Sequence, residues 1–422
     1  MTSPPALSRR LGLTDATLIG LGSMIGAGVF AAFSPAAQAA GNGLLIGLAI
    51  AAVVALGNAT STAQLAAVYP VAGGAYVYGR ERLGPWWGFL AGWGFVIGKT
   101  ASCAAMAMTF AAYAAPAGWE RPVAIVAVLG LAGVNLLGIT RTALATRILV
   151  AIVLVVLAGV VAAGAASGLP ALSAPLDLVA SGPYGILQSA GLLFFAFAGY
   201  ARVATLGEEV VDPARTIPRA VVLALGLAVV VYAAVAVAVL GMLGSAGTAA
   251  SATPLEDAVE AAGWGWAGPV VRLGAAAASL GALLALIAGI GRTTLAMARE
   301  GDLPRWLAAV HPRYSVPHRA EIVLAVVVCA VIAVVDLRGA IGFSSFGVLV
   351  YYLVANAAAL TQPSVQRRFP RVLAVTGGAG CLALVATLPW GSIAVGAAVL
   401  VIGVAYRFLS RGRSAPNTHP ET

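Results

Sequence analysis

Long runs of apolar residues without a charged side chain recur along the whole chain, and they constrain its fold more than any other feature. The run over residues 44–68 is one of them, and a helix needs about 20 such residues to cross a membrane. Only 9% of the 422 residues are charged, whereas soluble domains carry roughly 25%. The pattern predicts an all-α polytopic membrane protein. It argues against a soluble enzyme, a nucleic-acid-binding protein and a disordered chain.

Twelve long segments that are apolar, or apolar with few charged residues, are predicted to be membrane-spanning helices. They are continuous rather than alternating, which excludes a transmembrane β-barrel. The predicted spans cover residues 14–38, 44–68, 85–115, 122–137, 143–166, 184–207, 218–243, 268–299, 320–335, 340–361, 372–388 and 392–409. The tail from Arg411 is polar and is predicted to be disordered. The N-terminal segment MTSPPALSRR does not have the pattern of a cleavable signal.

The distribution of basic residues predicts the orientation of these spans, because Arg and Lys are enriched in cytoplasmic loops. With a cytoplasmic N-terminus, 19 arginines fall on the inner side and only Arg121, Arg272 and Arg338 on the outer side. We therefore expect both termini to be cytoplasmic and the protein to lie in the inner (plasma) membrane of the cell. The net charge of +9 then reflects topology rather than a nucleic-acid partner.

Two basic residues lie at membrane depth, Lys99 in the third span and Arg202 in the sixth. At a rise of about 1.5 Å per residue, Lys99 lies roughly 21 Å from the start of its span, past the bilayer centre, or near it if the span is tilted. No Asp or Glu lies deep in a predicted span, since Asp15 begins the first and Glu208 and Glu209 end the sixth. Ionisable residues inside membranes are costly, so both cations are functional candidates.

The sequence contains no pattern typical of an enzyme, a metal site or an ATP-driven pump. The three cysteines lie in apolar runs without CxxC spacing, and the three histidines lie outside the spans. No carboxylate pair or Ser/His pair lies at membrane depth, and no P-loop is present. We therefore expect no catalytic residues, no metal and no cofactor.

Two spans contain glycines at positions where an unbroken helix is not expected. The first span contains Gly20, Gly22, Gly26 and Gly28 in GLGSMIGAGVF, and the sixth contains Gly199 in FFAFAGYAR. A helix-packing face is the alternative, because two of these glycines have GxxxG spacing. A dinucleotide-binding loop is rejected, because no strand precedes the glycines. Gly-interrupted spans at corresponding positions are typical of inverted-repeat transporters, whose freed backbone groups bind the substrate near the membrane midplane.

Three motifs resemble those of one transporter family. GSMIGAGVF is similar to its unwound substrate motif, FFAFAGYARVATLGEEVVDPARTIPRA to its sixth span and following loop, and GRTTLAMAREGDLP to its loop after the eighth span. The chain thus resembles the amino acid permeases of the amino acid–polyamine–organocation (APC) superfamily, which have the LeuT-type fold. The resemblance implies two inverted five-helix repeats and two extra helices. The implied segments are 1–13 (cytoplasmic), 14–169 and 184–362 (repeats), 369–410 (extra helices) and 411–422 (tail).

The resemblance also implies a substrate site at the two interrupted spans. The α-carboxylate would bind the amides of Gly26, Ala27 and Gly28. The α-ammonium would lie near the carbonyls of Gly22, Ser23, Phe195, Ala196 and Ala198. The implied substrate-binding residues are Gly22, Ser23, Met24, Ile25, Gly26, Ala27, Gly28, Phe195, Ala196, Phe197, Ala198 and Gly199.

Several segments are candidates for gating. The resemblance implies that Phe195 is an aromatic lid on the outer side, with a core or lipid-facing aromatic as the alternative. Arg202 follows the break in the sixth span, so it is a candidate inner gate or anion contact, with a structural arginine as the alternative. Residues 69–84 resemble the re-entrant loop of the family, with Gly73 and Gly74 as its bend and a solvated loop as the alternative. Residues 254–263 are predicted to form a short amphipathic outer helix that is part of a lid, with acids that simply face water as the alternative.

The chain departs from the family at positions linked to ion coupling. Many relatives carry a lysine in the fifth span that stands in for sodium, where this chain has Val153, and a carboxylate where it has Ala201. A frequent Glu-Tyr pair in the third span is replaced by Gly98 and Lys99, and a frequent hydroxyl residue by Gly291. We hypothesise that Lys99 takes over coupling, with a structural lysine bonded to helix carbonyls as the alternative.

The sequence therefore predicts a secondary active transporter, not an enzyme. A neutral amino acid is the favoured substrate, because the interrupted segments have small side chains and no deep carboxylate could pair with a cationic substrate. The alternatives are an anionic amino acid, if Arg202 or Lys99 faces the cavity, another amine-bearing metabolite, and a receptor or channel. Alternating access with proton coupling or exchange is expected, rather than sodium coupling. The expected partners are the amino acid, protons and the lipid bilayer.

Overall fold

The computed structural model describes residues 11–70, 73–138, 143–172, 177–204 and 209–412. Within these ranges the regular elements are helices, apart from an isolated bridge between Leu11 and Val210. The predicted N-terminal segment 1–10, Glu208 and the tail from residue 413 lie outside the described residues. The α-helices are α1 (Leu13–Met24), α2 (Ala27–Ala31), α3 (Phe33–Ala40), α4 (Leu44–Val68), α5 (Ala75–Leu83), α6 (Pro85–Ala114), α7 (Glu120–Leu136), α8 (Ala143–Ser167), α9 (Gly182–Phe197), α10 (Ala201–Ala204), α11 (Pro213–Ala250), α12 (Pro254–Ala261), α13 (Gly268–Arg299), α14 (His318–Val334), α15 (Leu337–Leu360), α16 (Arg371–Thr387) and α17 (Trp390–Gly412).

The helices have the length and composition that a bilayer requires. Eight helical segments among the described residues are long and apolar enough to cross a membrane, and α9 and α16 are shorter apolar helices. The predicted fold class, an all-α polytopic membrane protein, is therefore confirmed. The seventh predicted span is longer than expected, because α11 begins at Pro213 and continues past a kink at Gly244 to Ala250. Gly244 has a φ of 69°, a backbone conformation that favours glycine.

Helices α6 and α15 touch through their backbones. A Cβ atom added to Gly347 would lie 2.7 Å from the Cα atom of Gly98. Small residues allow membrane helices to approach this closely. One turn further along α6, the hydroxyls of Ser102 and Ser344 lie 2.6 Å apart. This contact directs the face of α6 that carries Lys99 into the bundle, where the lysine is only 8% exposed.

Two short helices lie between the predicted spans. Helix α5 begins after Gly73 and Gly74, whose φ angles of 139° and 56° produce the bend predicted in the re-entrant segment. Its first amide, at Ala75, donates to the hydroxyl of Tyr351 over 3.0 Å. Helix α12 lies where the amphipathic helix was predicted. A hydrogen bond of 2.5 Å from Arg272 to its buried Glu256 ties it to α13.

Candidate functional site

The first helix break separates α1 from α2 at Ile25 and Gly26. The amide of Gly26 donates to the carbonyl of Met24 over 2.8 Å, which closes a tight turn instead of a helical one. Helical backbone resumes at Ala27 and continues through Ala32 into α3. The first amides of a helix have no intrahelical acceptor. The break therefore directs the positive end of the α2–α3 half-helix into the bundle.

The second break separates α9 from α10 at Ala198, Gly199 and Tyr200. Helix α9 ends at Phe197, and the amide of Ala198 makes only a long 3.4 Å bond to the carbonyl of Phe195. Helical bonding resumes when the amide of Arg202 donates to the carbonyl of Gly199 over 3.0 Å. The interruption thus leaves the carbonyls at the end of α9 without the partners that a continuous helix would supply.

The two breaks pack directly against each other. A Cβ atom on Gly28 would lie 2.6 Å from the Cα atom of Ala196. A Cβ atom on Gly199 would collide with the backbone of Ser23 and Met24. Glycine is needed at both positions because the two interrupted backbones are in contact. All twelve predicted substrate-binding residues therefore lie in two short segments that meet inside the bundle.

A tyrosine that the sequence analysis did not single out bridges the two breaks. The hydroxyl of Tyr232, from α11, lies 2.6 Å from the carbonyl oxygen of Met24 and 2.9 Å from that of Ala196. A hydroxyl has one hydrogen, so the two carbonyls share this donor. The Tyr232 ring also packs edge-on against Phe197, with 5.0 Å between ring centroids. No local pattern distinguishes Tyr232 from other tyrosines, and only the packing of α11 reveals its role.

Lys99 binds the second break directly. Its Nζ atom donates to the carbonyl oxygen of Ala198 over 3.0 Å. The hydroxyl of Tyr352, from α15, donates more weakly to the same oxygen over 3.4 Å. The Tyr352 ring stacks on Tyr200, with 5.0 Å between centroids. Lys99 therefore contacts one of the carbonyls that the sequence analysis assigned to the substrate ammonium.

The two predicted gating residues lie in different environments. Phe195 is 7% exposed and packs with Ala31, Leu192 and Ile341 in a small apolar cluster. Arg202 is partly exposed and interacts electrostatically with Glu209 and Arg292. On the same side of the breaks, Gly22, Ser23 and Gly199 are also partly exposed, whereas Ala27 and Gly28 are buried.

A buried ion pair at one end of the bundle was also missed by the sequence analysis. Arg407 of α17 and Asp302 are both fully buried, with 2.6 Å between Nη1 and Oδ1. The second oxygen of Asp302 accepts from Tyr76 over 3.0 Å and from Arg80 over 3.1 Å. Burial and the Asp302 carboxylate raise the pKa of Tyr76 well above its usual range, so its hydroxyl stays protonated and donates. The GRTTLAMAREGDLP motif contains Asp302, but its partner lies 105 residues away.

One buried carboxylate has an unusual environment. Glu321, the fourth residue of α14, is 2% exposed, and its Oε2 atom has no hydrogen-bond partner. The other carboxylate oxygen would lie 3.3 Å from a Cβ atom on Gly291, and Arg292 interacts with it electrostatically. Glu321 lies in the ninth predicted span, residues 320–335, and the sequence analysis assigned it no role. Among the described residues, no group of three His, Cys, Asp or Glu side chains could hold a metal ion.

Comparisons with known proteins agree with this architecture. The amino acid permease family matches residues 15–416. An uncharacterized transporter of Mycobacterium tuberculosis (strain ATCC 25618 / H37Rv) is 61% identical over 403 residues, which cover 95% of this chain and 91% of the relative. A branched-chain amino acid permease of Bacillus subtilis is 28% identical over 98% of this chain and 95% of its own length. A methylthioribose transporter of the same organism is 26% identical over 87% and 84%. This chain therefore belongs to the amino acid permease family, a family of membrane transporters rather than enzymes.

Proposed function

We propose that this chain moves a neutral amino acid across the inner (plasma) membrane by alternating access between two inverted five-helix repeats. The observation that carries the proposal is the contact between the two helix breaks, because Gly28 packs against the Ala196 backbone and brings the half-helix N-terminus to the end of α9. A carboxylate is stabilised at such a terminus by backbone amides and by the helix dipole. The residues at this contact, Ala27, Ala196 and Ala198, have small side chains.

The distribution of exposure supports an inward-facing conformation for the proposed transporter. Partly exposed residues, including Ser23, Gly199 and Arg202, lie on the side of the breaks that we propose to be cytoplasmic. On the opposite side, Gly28 and Phe195 are buried. In this proposal Phe195 closes the outer path and Arg202 lies along the inner one. Both termini are then cytoplasmic, as the arginine distribution predicts.

Lys99 supports coupling to protons or exchange rather than to sodium. Its Nζ atom already lies 3.0 Å from the Ala198 carbonyl at the second break. A lysine can release its proton in a poorly solvated site, whereas an arginine stays charged. Val153, where many relatives carry the coupling lysine, is fully buried and apolar. We therefore propose that Lys99 in the third span takes the coupling role.

Uptake by the purified protein in proteoliposomes tests the proposed function. We expect a labelled neutral amino acid to accumulate without sodium and to be displaced by other neutral amino acids. Gly28→Val should abolish uptake, because the new side chain would meet the Ala196 backbone. Gly226→Val is the matched control, since an added Cβ meets nothing within 4 Å there. Wild-type uptake by Gly28→Val at normal expression would contradict the proposed site.

An anionic amino acid is the second candidate substrate, and a specific observation favours it. Lys99 and Arg202 both lie close to the second break, and the hydrogen bond described for Lys99 goes to a carbonyl, not to a carboxylate. A competition panel of all the amino acids against one labelled substrate separates the two candidates. Displacement by glutamate and aspartate alone would replace the neutral substrate by the anionic one.

A further inference from the structure

We infer that Lys99 provides, from within the protein, the ammonium group that the site would otherwise take from its solute. The transporter then selects its solute by the carboxylate and does not require an α-amino group. The corresponding substrate class is the small aliphatic monocarboxylates, including 2-oxo acids, together with the neutral amino acids of the same shape. This inference rests on the proposed function, because it concerns the same pair of helix breaks.

The first argument is that two carbonyls at the breaks, those of Met24 and Ala198, already accept hydrogen bonds from the protein. A carbonyl oxygen has two lone pairs. The oxygen of Met24 accepts from the amide of Gly26 over 2.8 Å and from the hydroxyl of Tyr232 over 2.6 Å. The oxygen of Ala198 accepts from Lys99 and Tyr352. Both acceptors are therefore saturated by the protein, and an added ammonium would have to displace one of these donors.

The second argument is the balance of charge. Lys99 is buried, and its described hydrogen bond does not involve a carboxylate. A solute ammonium at the second break would lie next to this cation in a poorly solvated space, where like charges repel strongly. A solute carboxylate would instead neutralise it. The charge of Lys99 thus disfavours the amino group and favours the acid group of the same molecule.

The third argument is that donors for a carboxylate are present beside the occupied acceptors. The amides of Ala27 and Gly28 open the half-helix that continues through Ala32 into α3. Gly28 packs against Ala196, two residues before the carbonyl that Lys99 binds. A carboxylate at these amides would therefore lie in the field of both the half-helix and the lysine. The site offers donors and positive charge to one end of the solute only.

A set of four solutes of one carbon skeleton tests the inference. The probes are L-leucine, 4-methyl-2-oxopentanoate, 4-methylpentanoate and 3-methylbutylamine, each added against labelled L-leucine in sodium-free proteoliposomes. We expect the two acids to compete at least as well as L-leucine, and the amine to be at least about tenfold weaker. Direct binding to the detergent-solubilised protein, measured by thermal shift, provides a readout that does not depend on transport.

Variants of Lys99 separate its charge from its hydrogen bond. Lys99→Met leaves Ala198 with one donor and no neighbouring cation, so the solute ammonium should become necessary. The two acids should then lose at least about tenfold in affinity while L-leucine is retained. Lys99→Gln keeps a neutral donor and should give the same reversal if the charge is responsible. Met106→Leu, further along the same helix, controls for insertion and handling.

The outcomes distinguish this inference from the proposed function. Transport of L-leucine with rejection of both acids would overturn the inference and leave the amino acid transporter intact. Transport of the acids with rejection of all amino acids would overturn the proposed substrate and support the role of Lys99. Unchanged selectivity in folded Lys99→Met and Lys99→Gln would overturn the inference whatever the wild type transports.

Discussion

Arg407 and Lys99 are both buried cations, but the protein stabilises them in different ways. Arg407 donates to Asp302 over 2.6 Å and to the carbonyl of Pro85 over 2.8 Å. Its guanidinium also lies 4.8 Å from the ring centre of Trp86, a favourable cation–π distance. Lys99 donates to a single carbonyl, that of Ala198. One cation is neutralised by a carboxylate, and the other is held by a carbonyl at a helix break.

This difference indicates that Arg407, rather than Lys99, has a structural role. A buried arginine with a carboxylate and an aromatic neighbour connects elements distant in sequence, here α17, the start of α6 and the segment after α13. Removing one member leaves the other charge buried without compensation. A buried lysine bound to a carbonyl keeps its charge available to a ligand. The carboxylate of Asp302 thus offsets the cost of burying Arg407, whereas we propose that the buried charge of Lys99 acts on the substrate.

The largest expected effect is the loss of stability when the buried Asp302–Arg407 ion pair is broken. Asp302→Asn should lower the free energy of unfolding by about 3–5 kcal/mol, because it leaves Arg407 charged and buried. Thermal unfolding in detergent, followed by size-exclusion chromatography, measures the loss. Glu300→Gln is the control, since the Glu300 side chain is 52% exposed in its pair with Arg80 and such pairs contribute about 0–1 kcal/mol. An unfolding temperature of Asp302→Asn equal to that of wild type would contradict the structural role of the Asp302–Arg407 ion pair.

A second prediction concerns the lysine. Lys99→Met should change the free energy of unfolding by no more than about 1 kcal/mol, because its described hydrogen bond leaves no carboxylate uncompensated when the lysine is removed. The same variant should lose the pH dependence of sodium-free uptake that wild type shows. Thermal unfolding in detergent measures the first effect, and uptake into proteoliposomes at several pH values measures the second. Strict sodium dependence of wild type, or the same pH profile in the variant, would end the coupling proposal.

Removal of the Tyr232 hydroxyl should reduce the free energy of unfolding more than removal of the Tyr352 hydroxyl. Tyr232→Phe removes a donor that the carbonyls of Met24 and Ala196 share, and we expect a loss of about 1–2 kcal/mol. Tyr352→Phe should cost less, because the Ala198 carbonyl keeps its bond to Lys99. Chemical or thermal unfolding of both variants compares them directly. A larger loss for Tyr352→Phe would mean that Lys99 is not the main donor to Ala198.

The smallest expected effect is at the outer helix α12, where the buried Glu256 pairs with the exposed Arg272. Burial raises the pKa of Glu256 above its ordinary value of 4.5, and Arg272 only partly opposes this. The folded chain then holds this proton more tightly than the unfolded chain, so the carboxyl reduces stability as pH rises through its folded pKa. Glu256→Gln should gain stability relative to wild type as pH rises above the ordinary carboxyl pKa of 4.5. The exposed neighbour Glu260, changed to Gln, should not show this gain.

Much of the fold could be predicted because the composition of one continuous segment is enough to identify a membrane-spanning helix. Helices α4 and α13 begin and end at the predicted residues, since each is a long, largely apolar segment between polar or glycine-rich ends. The breaks could also be located, because Gly26 and Gly199 lie within otherwise apolar segments. In both cases the information lies within one stretch of chain.

The partners at the breaks could not be predicted, because they depend on how separate helices pack. Tyr232 and Tyr352 are two of 11 tyrosines, and nothing adjacent to them in sequence marks them as donors to the breaks. Arg407 was counted among the loop arginines, whereas the structure buries it beside Asp302. Contacts between residues 36 and 154 positions apart, as for Tyr232 with Ala196 and Tyr352 with Ala198, follow only from tertiary structure.

The backbone contact between Gly98 and Gly347 has a mechanical consequence for the transport cycle. Two helices that touch through their backbones have no layer of side chains to deform, so we expect α6 and α15 to move as one rigid strut in the proposed alternating-access cycle. Lys99 and Tyr352 are fixed to this strut, while the Ala198 carbonyl belongs to an interrupted helix. Any rocking of α9 and α10 against the strut must therefore stretch both bonds to Ala198 at once. The two hydrogen bonds to the Ala198 carbonyl would therefore add to the energy barrier of the proposed conformational change.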